Sequence, residues 1–177
     1  AAVPLALAPR VARSQAGEGV QFADGTAHAG ITFRHNSGAF GKKYLPETMS
    51  SGLVLFDFDR DGWLDVFFAN GTTWPGRPGA PTFTGVTKAA GLAVPMFAIG
   101  TAAADYDNDG WKDLYVTAIG GNRLFRNLGN GTFADVTAKA GTRGPGTFGT
   151  SAMFFDYDRD GHLDIVTAPG TGGGPNV

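Results

Sequence analysis

The sequence predicts an all-β fold built from repeated four-stranded units, and three observations support that class. A nine-residue acidic phrase occurs three times, and a second phrase recurs beside it at a similar interval. Glycine is also abundant, with 28 among 177 residues, roughly twice the usual share, which favours many tight turns. Repetition at intervals of about 50 residues is typical of a propeller or another repeat array.

The acidic phrase reads DFDRDGWLD at 57–65, DYDNDGWKD at 105–113 and DYDRDGHLD at 156–164. Carboxylates at positions 1, 3, 5 and 9, with glycine at position 6, form a calcium-loop pattern, because oxygens from alternate residues can converge on one hard cation. A cation would also relieve the repulsion among four carboxylates in nine residues. A solvated acidic surface is the alternative interpretation, but it does not predict three copies at a fixed spacing.

Each loop is expected to bind one Ca²⁺, about three ions in all, through four aspartates and the backbone carbonyl of position 7. Mg²⁺ is less suited because it demands a tighter octahedron. A helix–loop–helix site is disfavoured, because position 12, where it needs glutamate, is Phe68, Val116 or Thr167 inside a predicted strand. The predicted ligands are Asp57, Asp59, Asp61, Trp63, Asp65, Asp105, Asp107, Asp109, Trp111, Asp113, Asp156, Asp158, Asp160, His162 and Asp164.

Predicted strands flank every loop. The strand before it is rich in small residues, as in the TAAA run at 101–104, which suits an innermost strand where blades converge on an axis. The strand after it carries β-branched and aromatic residues. In the middle unit, a turn at Asn130 and Gly131 joins a third strand to a fourth. In the first unit, three prolines within 72–81 disfavour a regular third strand.

The second repeated phrase starts with QFADG at 21, TFTGV at 82 and TFADV at 132, and it predicts an extended strand followed by a turn. If the strands of a unit are labelled A to D from the inside outward, the chain has the order D, ABCD, ABCD, AB. We therefore expect a partial β-propeller of about three four-stranded blades with metal-binding A–B loops. Its parts are a lone outer strand at 21–33, a blade at 52–91, a blade at 100–141 and an incomplete blade at 150–177.

Two segments lie outside the repeats. Residues 1–20 show no periodicity and are expected to be a flexible lead-in or the remnant of a signal peptide. Residues 34–51 are an insertion, and long connections often carry function. Its reactive side chains are His35, Lys42, Lys43, Tyr44 and Glu47, although an exposed loop without a role is the alternative.

Composition excludes several classes of function. Hydrophobic residues make up 42% of the chain and charged residues 17%, which favours a globular protein over a disordered one. The absence of cysteine excludes disulfides, thiolate metal sites and cysteine nucleophiles. We find no transmembrane span, no basic stripe for nucleic acid, no phosphate loop and no nucleophile–base pair in the sequence.

The acidic loops resemble the FG-GAP/VCBS repeats of integrin-α-like β-propellers. Longer phrases resemble a bacterial cartilage-acidic-protein-like family, and the resemblance covers about residues 20–177. It implies a secreted propeller, usually of seven blades, with calcium in the A–B loops and a role in adhesion or recognition. The phrases are GKKYLPETMSSGLVLFDFDRDGWLD, NRLFRNLGNGTFADVTAKAG and SAMFFDYDRDGHLD.

Three functional hypotheses follow. The first is a non-catalytic, calcium-stabilised extracellular module that binds a protein or glycan. The second is self-assembly, in which the lone strand completes the open last unit of a neighbouring copy and builds rings or filaments; its rival is that the remaining blades belong to a longer chain. The third is a secreted propeller enzyme acting on polysaccharide through His35, Lys42, Lys43 and Tyr44.

Overall fold

The computed structural model describes residues 3–4, 22–39, 41, 45–49, 51–72, 85–144 and 148–170. These residues form antiparallel sheets of two to four strands and three short helices, so the predicted all-β class is confirmed. The helices are α1 (Leu45–Thr48), α2 (Gly85–Ala89) and α3 (Thr137–Ala140). The strands are β1 (Val3–Pro4), β2 (Leu53–Phe56), β3 (Asp65–Phe68), β4 (Phe97–Ala104), β5 (Asp113–Ile119), β6 (Arg123–Asn127), β7 (Phe133–Asp135), β8 (Gly149–Phe155) and β9 (Asp164–Pro169).

The middle sheet is an antiparallel meander in the order β4-β5-β6-β7. Strand β5 lies at its centre, and Leu114, Tyr115 and Val116 are at most 1% exposed there. Both faces of this strand are therefore covered, which explains its run of large apolar residues. The main core cluster joins β5 to Phe56 and Phe67 of the first sheet.

Glycine at position 100 sets how closely the middle and third sheets approach. A Cβ atom at Gly100 would lie 2.5 Å from the Thr150 carbonyl oxygen and 2.9 Å from Thr117 Oγ1. The Gly100 N–H donates to Thr117 Oγ1 at 2.8 Å, beside a register shift between Ala98 and Gly100. The absence of a side chain therefore lets the backbone of β8 pack directly against β4.

The first sheet has the order β1-β3-β2, and the third contains β8 and β9. Val3 pairs with Val66 and Pro4 with Asp65, so this part of the expected flexible lead-in is a strand instead. Its backbone occupies the place beside β3 where a third strand was expected. The expected irregular strand at 72–81 lies, beyond Thr72, outside the described residues.

The second repeated phrase folds differently from the prediction. In the middle unit a three-residue strand, β7, is followed by helix α3 rather than by a simple turn, and helix α2 occupies 85–89 where a strand was predicted. Asp135 favours the helix, because its Oδ1 accepts the Thr137 N–H at 3.0 Å. Gly141, at φ +67°, then ends α3.

The lone outer strand predicted at 21–33 is also wrong over the described range. Residues 22–33 contain no strand, and 26–30 form a turn. Asp24 Oδ1 accepts the Thr26 N–H at 2.9 Å, an Asx turn that bends the chain. Phe22 is 95% exposed, so the start of the segment has no packed aromatic anchor, whereas Phe33 at its end stacks on Phe68 of β3 at 4.5 Å.

Candidate metal centres

Each acidic loop connects the first two strands of its repeat. Position 1 directly follows the last residue of β2, β4 or β8, and position 9 is the first residue of β3, β5 or β9. Strand pairing places Asp65 opposite Phe56, Asp113 opposite Ala104 and Asp164 opposite Phe155. The sheet therefore fixes both ends of every loop, and the loop residues must turn between them.

The three loops share one backbone conformation. Position 4 has a positive φ, at 62° for Arg60, 58° for Asn108 and 64° for Arg159. The glycine at position 6 has a φ of 87° to 90° in all three copies. Side chains rarely adopt these angles, and at position 6 glycine does so without a Cβ penalty. The two left-handed residues wind the loop back toward its own carboxylates.

Hydrogen bonds hold the loop carboxylates in place, and the second loop illustrates the pattern. Asp105 accepts the N–H groups of Asp109 at 3.0 Å and Gly110 at 2.9 Å. Asp109 accepts the Trp111 N–H at 2.9 Å, and Asp113 accepts the Tyr106 N–H at 3.1 Å. The first and third loops make the same four bonds.

Three carboxylates converge in each loop, with one oxygen from each lying within 4.8 Å of the others. Such close negative charges fit a bound cation, and the all-oxygen donor set fits a hard one. The remaining predicted ligands, including the carbonyls of Trp63, Trp111 and His162, stay predictions. The convergent sets are Asp57, Asp59 and Asp61; Asp105, Asp107 and Asp113; and Asp156, Asp158 and Asp164.

The position 9 carboxyls of the first two loops have strongly perturbed electrostatics. The pKa values of Asp65 and of Asp113 are raised to about 6. Burial is the largest cause and the neighbouring loop carboxylates add to it, while backbone N–H donors offset only part of the rise. Asp65 is 2% exposed and Asp113 is fully buried. Water therefore solvates the ionised carboxylates poorly at these positions. A bound divalent cation would stabilise their ionised form instead.

Neighbouring loops also touch through position 4. The guanidinium carbon of Arg60 lies 5.1 Å from the ring centre of Trp111, at position 7 of the second loop. Asn108 Nδ2 donates to the Gly161 carbonyl at 3.0 Å and lies 3.4 Å from His162 Nδ1 in the third loop. Position 4 of one loop thus contacts positions 6 and 7 of the next.

Two functional neighbours on β6 were missed in the sequence. Arg126 pairs with Asp107 at 2.6 Å and with Asp109 at 2.8 Å. Asn127 is fully buried, and its Nδ2 donates to the carbonyls of Phe58 at 2.8 Å and Lys112 at 3.1 Å. The available signal was the polar Arg-Asn pair that ends the strand after Leu124 and Phe125.

The insertion brings one of its candidate groups into a polar contact. His35 Nε2 lies 2.8 Å from Ser51 Oγ, and the Ser51 hydroxyl donates to the Ala98 carbonyl at 3.0 Å. Since the hydroxyl has one proton, His35 donates to Ser51 Oγ whenever that proton goes to the Ala98 carbonyl. A general base would have to accept that proton instead. Lys42, Lys43 and Tyr44 lie outside the described residues.

Comparisons with known proteins match the repeats. A family model described as an FG-GAP-like repeat matches residues 57–116 and 105–167, which together span more than half of the chain. Cartilage acidic protein 1 from Mus musculus is 49% identical over 47 residues, and the Homo sapiens protein of that name is 47% identical over 47 residues. Each match covers 27% of this chain and 7% of the relative. Among the described residues, no helix is long and apolar enough to span a membrane.

Proposed function

The chain belongs to the FG-GAP-like repeat family, and on this premise we propose that it is a calcium-binding, extracellular β-propeller module that recognises a protein or glycan without catalysis. One observation carries the proposal: three loops repeat the same hydrogen bonds and each gathers three carboxylates within 4.8 Å. In this role Ca²⁺ fastens each hairpin at the point where two strands diverge, and the folded sheets present the binding surface.

The fastening role follows from linkage between folding and binding. The carboxylates of a loop converge only when its hairpin has formed, so Ca²⁺ binds the folded chain in preference to the unfolded one. At a calcium concentration tenfold above the dissociation constant, each site adds about 1.4 kcal/mol of stability. Calcium sites of extracellular modules have dissociation constants of about 10⁻⁴–10⁻³ M, so loops of this class would fill at about millimolar calcium.

Calorimetric titration of the chelator-treated protein tests the proposal. We expect about three Ca²⁺ per chain and much weaker binding of Mg²⁺, because Mg²⁺ demands a near-ideal octahedron and gives up its waters reluctantly. The matched control changes the position 3 residues together (D59N, D107N and D158N) and should lose the calcium heat. A chain that binds no Ca²⁺ at millimolar concentration would refute the calcium module.

Catalysis on polysaccharide by the 34–51 insertion is the alternative. The donor role of His35 toward Ser51 gives no support to a base-activated nucleophile. An activity screen on polysaccharides, with Tyr44→Phe as the control, decides between them. Turnover that disappears in this variant would establish the enzyme and end the non-catalytic assignment.

Self-assembly is a second candidate function, favoured by an exposed face of the third sheet. Met153, Phe155 and Val166 are 55%, 36% and 45% exposed. Tyr115 of the middle sheet, which corresponds to Val166 in the repeat, packs edge-on against Phe154 at 6.3 Å. The face that the middle sheet uses to contact its neighbour is thus the face that the third sheet exposes.

We propose that this face accepts a sheet from a second copy in a head-to-tail contact, which closes into a ring or continues as a filament. Light scattering and electron microscopy in calcium test this assembly. Oligomers that dissociate in Met153→Asp support it. Monomers at every concentration would contradict it.

A further inference from the structure

We propose that Arg126 is the internal cation of the second loop: it holds Asp107 and Asp109 when no metal is bound and weakens calcium binding there. This inference rests on the proposed calcium function. Arg126 is then a positioning residue rather than a ligand. It makes the second loop less dependent on metal for its order and lowers its affinity for the ion.

The contacts of Arg126 run to two predicted ligands at once. Its Nε lies 2.6 Å from Asp107 Oδ2, and its Nη2 donates to Asp109 Oδ2 at 2.8 Å. Asp109 Oδ1 already accepts the Trp111 N–H at 2.9 Å, so both oxygens of Asp109 are engaged. The guanidinium therefore contacts positions 3 and 5 through two different nitrogens, with an ion pair to Asp107, in which Nε makes no hydrogen bond, and a hydrogen bond to Asp109. Lysine has a single nitrogen for both contacts.

The other oxygen of Asp107 indicates where the metal would bind. Asp107 Oδ1 is buried and has no hydrogen-bond partner, although Asp107 belongs to the convergent set with Asp105 and Asp113. A buried carboxylate oxygen without a partner is costly, and a cation in the loop would satisfy it. Arg126 thus holds one oxygen of Asp107 and leaves the other for the ion.

The charge of Arg126 gives the direction of the effect. Arginine stays protonated at all relevant pH values, so it can only move away when Ca²⁺ enters or remain as a repelling neighbour. Removing one positive charge about 5 Å from a divalent ion tightens binding by about tenfold or more, even with the dielectric constant of water. Among the described residues, no other lysine or arginine pairs with a loop aspartate.

Site-resolved NMR titration of Arg126→Gln with Ca²⁺ tests the inference. The position 6 amides of Gly62, Gly110 and Gly161 each donate to their own loop, and each reports one site. We expect tighter binding only at Gly110, together with a lower melting temperature in EGTA. Arg123→Gln is the matched control, because Arg123 lies on the same strand and pairs with Asp135 at 2.9 Å, away from the loops.

Opposite changes in affinity and metal-free stability distinguish this role from a merely structural one. Unchanged or weaker binding at Gly110 in Arg126→Gln would overturn the inference while leaving the calcium function intact. No calcium response at any of the three glycines would instead refute the proposed function itself. Arg126→Lys keeps the charge but loses the fork, so it should keep near-native affinity with reduced stability in EGTA. If it tightens binding as much as glutamine does, repulsion by charge is excluded.

Discussion

At the scale of single residues, some loop aspartates hold the backbone through hydrogen bonds, whereas others make almost no contact with the rest of the fold. In the first loop, Asp57 accepts two backbone N–H groups, and Asp65 is buried and accepts a third. Asp59 is exposed and accepts one long bond of 3.3 Å from Asp61. In the first loop, position 3 is therefore the place where metal binding separates most cleanly from folding.

Asp59→Asn should weaken calcium binding at the first loop by about tenfold or more, because the site loses one ligand charge. Its free energy of unfolding in EGTA should change by less than about 0.5 kcal/mol. Calcium titration and chemical unfolding measure the two quantities. Asp57→Asn is the comparison, and it should also destabilise the metal-free chain; equal losses in EGTA would contradict the division of roles.

Asp135 gives a pH dependence away from the metal loops. Partial burial would raise its pKa, but hydrogen bonds from Thr137 and the ion pair with Arg123 outweigh burial and leave the pKa below the ordinary value of 3.8. A lowered pKa means that the ionised group stabilises the fold above the unfolded-state value, and that this contribution is lost as the pH falls through the folded-state value.

Asp135→Asn should therefore cost up to about 1 kcal/mol at neutral pH, and the difference from wild type should shrink below about pH 4. Urea unfolding between pH 3 and 7 measures it. A difference that grows as the pH falls would show that the carboxylate is not the stabilising form.

The same scale includes a buried asparagine that ties two sheets together. Asn127 bonds to the carbonyls of Phe58 and Lys112, and its Oδ1 accepts the Gly129 N–H at 3.0 Å. Asn127→Ala should cost about 2–4 kcal/mol, because it strands several buried polar groups. The exposed Asn130, which caps its own turn, is the matched control. Equal losses of stability in Asn130→Ala would contradict the bridging role.

At the scale of elements, the loops form a row in which position 4 reaches the following loop. Arg60 over Trp111 should contribute about 0.5–1 kcal/mol. Arg159 has the same left-handed backbone and contacts no aromatic ring in the described part of the chain. Arg60→Gln should therefore lower the free energy of unfolding by more than Arg159→Gln does, by the size of the ring contact. Identical losses of stability in the two variants would contradict a stabilising contact between Arg60 and Trp111.

Sequence patterns predicted the elements that local chemistry determines. The acidic phrases place hairpins at three sites because glycine and aspartate dictate the turn, and the β-branched and aromatic residues after each loop predict the strand that follows it. All nine convergent carboxylates lie among the ligands predicted from the sequence, and their role as metal ligands stays a prediction.

Local turn chemistry and tertiary partners determined the features that the sequence did not predict. Residues 22–33 were predicted to be extended but pair with no strand in the described part of the chain, and the Asx turn at Asp24 bends them instead. Helix α3 replaces a predicted turn because Asp135 holds its first residue. Arg126 and Asn127 are distant from the loops in sequence, and only the pairing of β5 with β6 brings them there.

At the scale of the whole molecule, calcium binding to the three loops should raise the free energy of unfolding of the chain. At a calcium concentration tenfold above the dissociation constant, three sites would add about 4 kcal/mol of stability in total. This corresponds to a rise of about 8–16 °C in the melting temperature of a chain of this size. Mg²⁺ at the same concentration should produce a smaller rise, because it fits the loops poorly.

Thermal unfolding of the whole chain in saturating Ca²⁺ and in EGTA tests this claim most directly. The proposed fastening predicts that the melting temperature rises with calcium concentration and falls back when the chelator is added. Identical melting temperatures in calcium and in EGTA would contradict it.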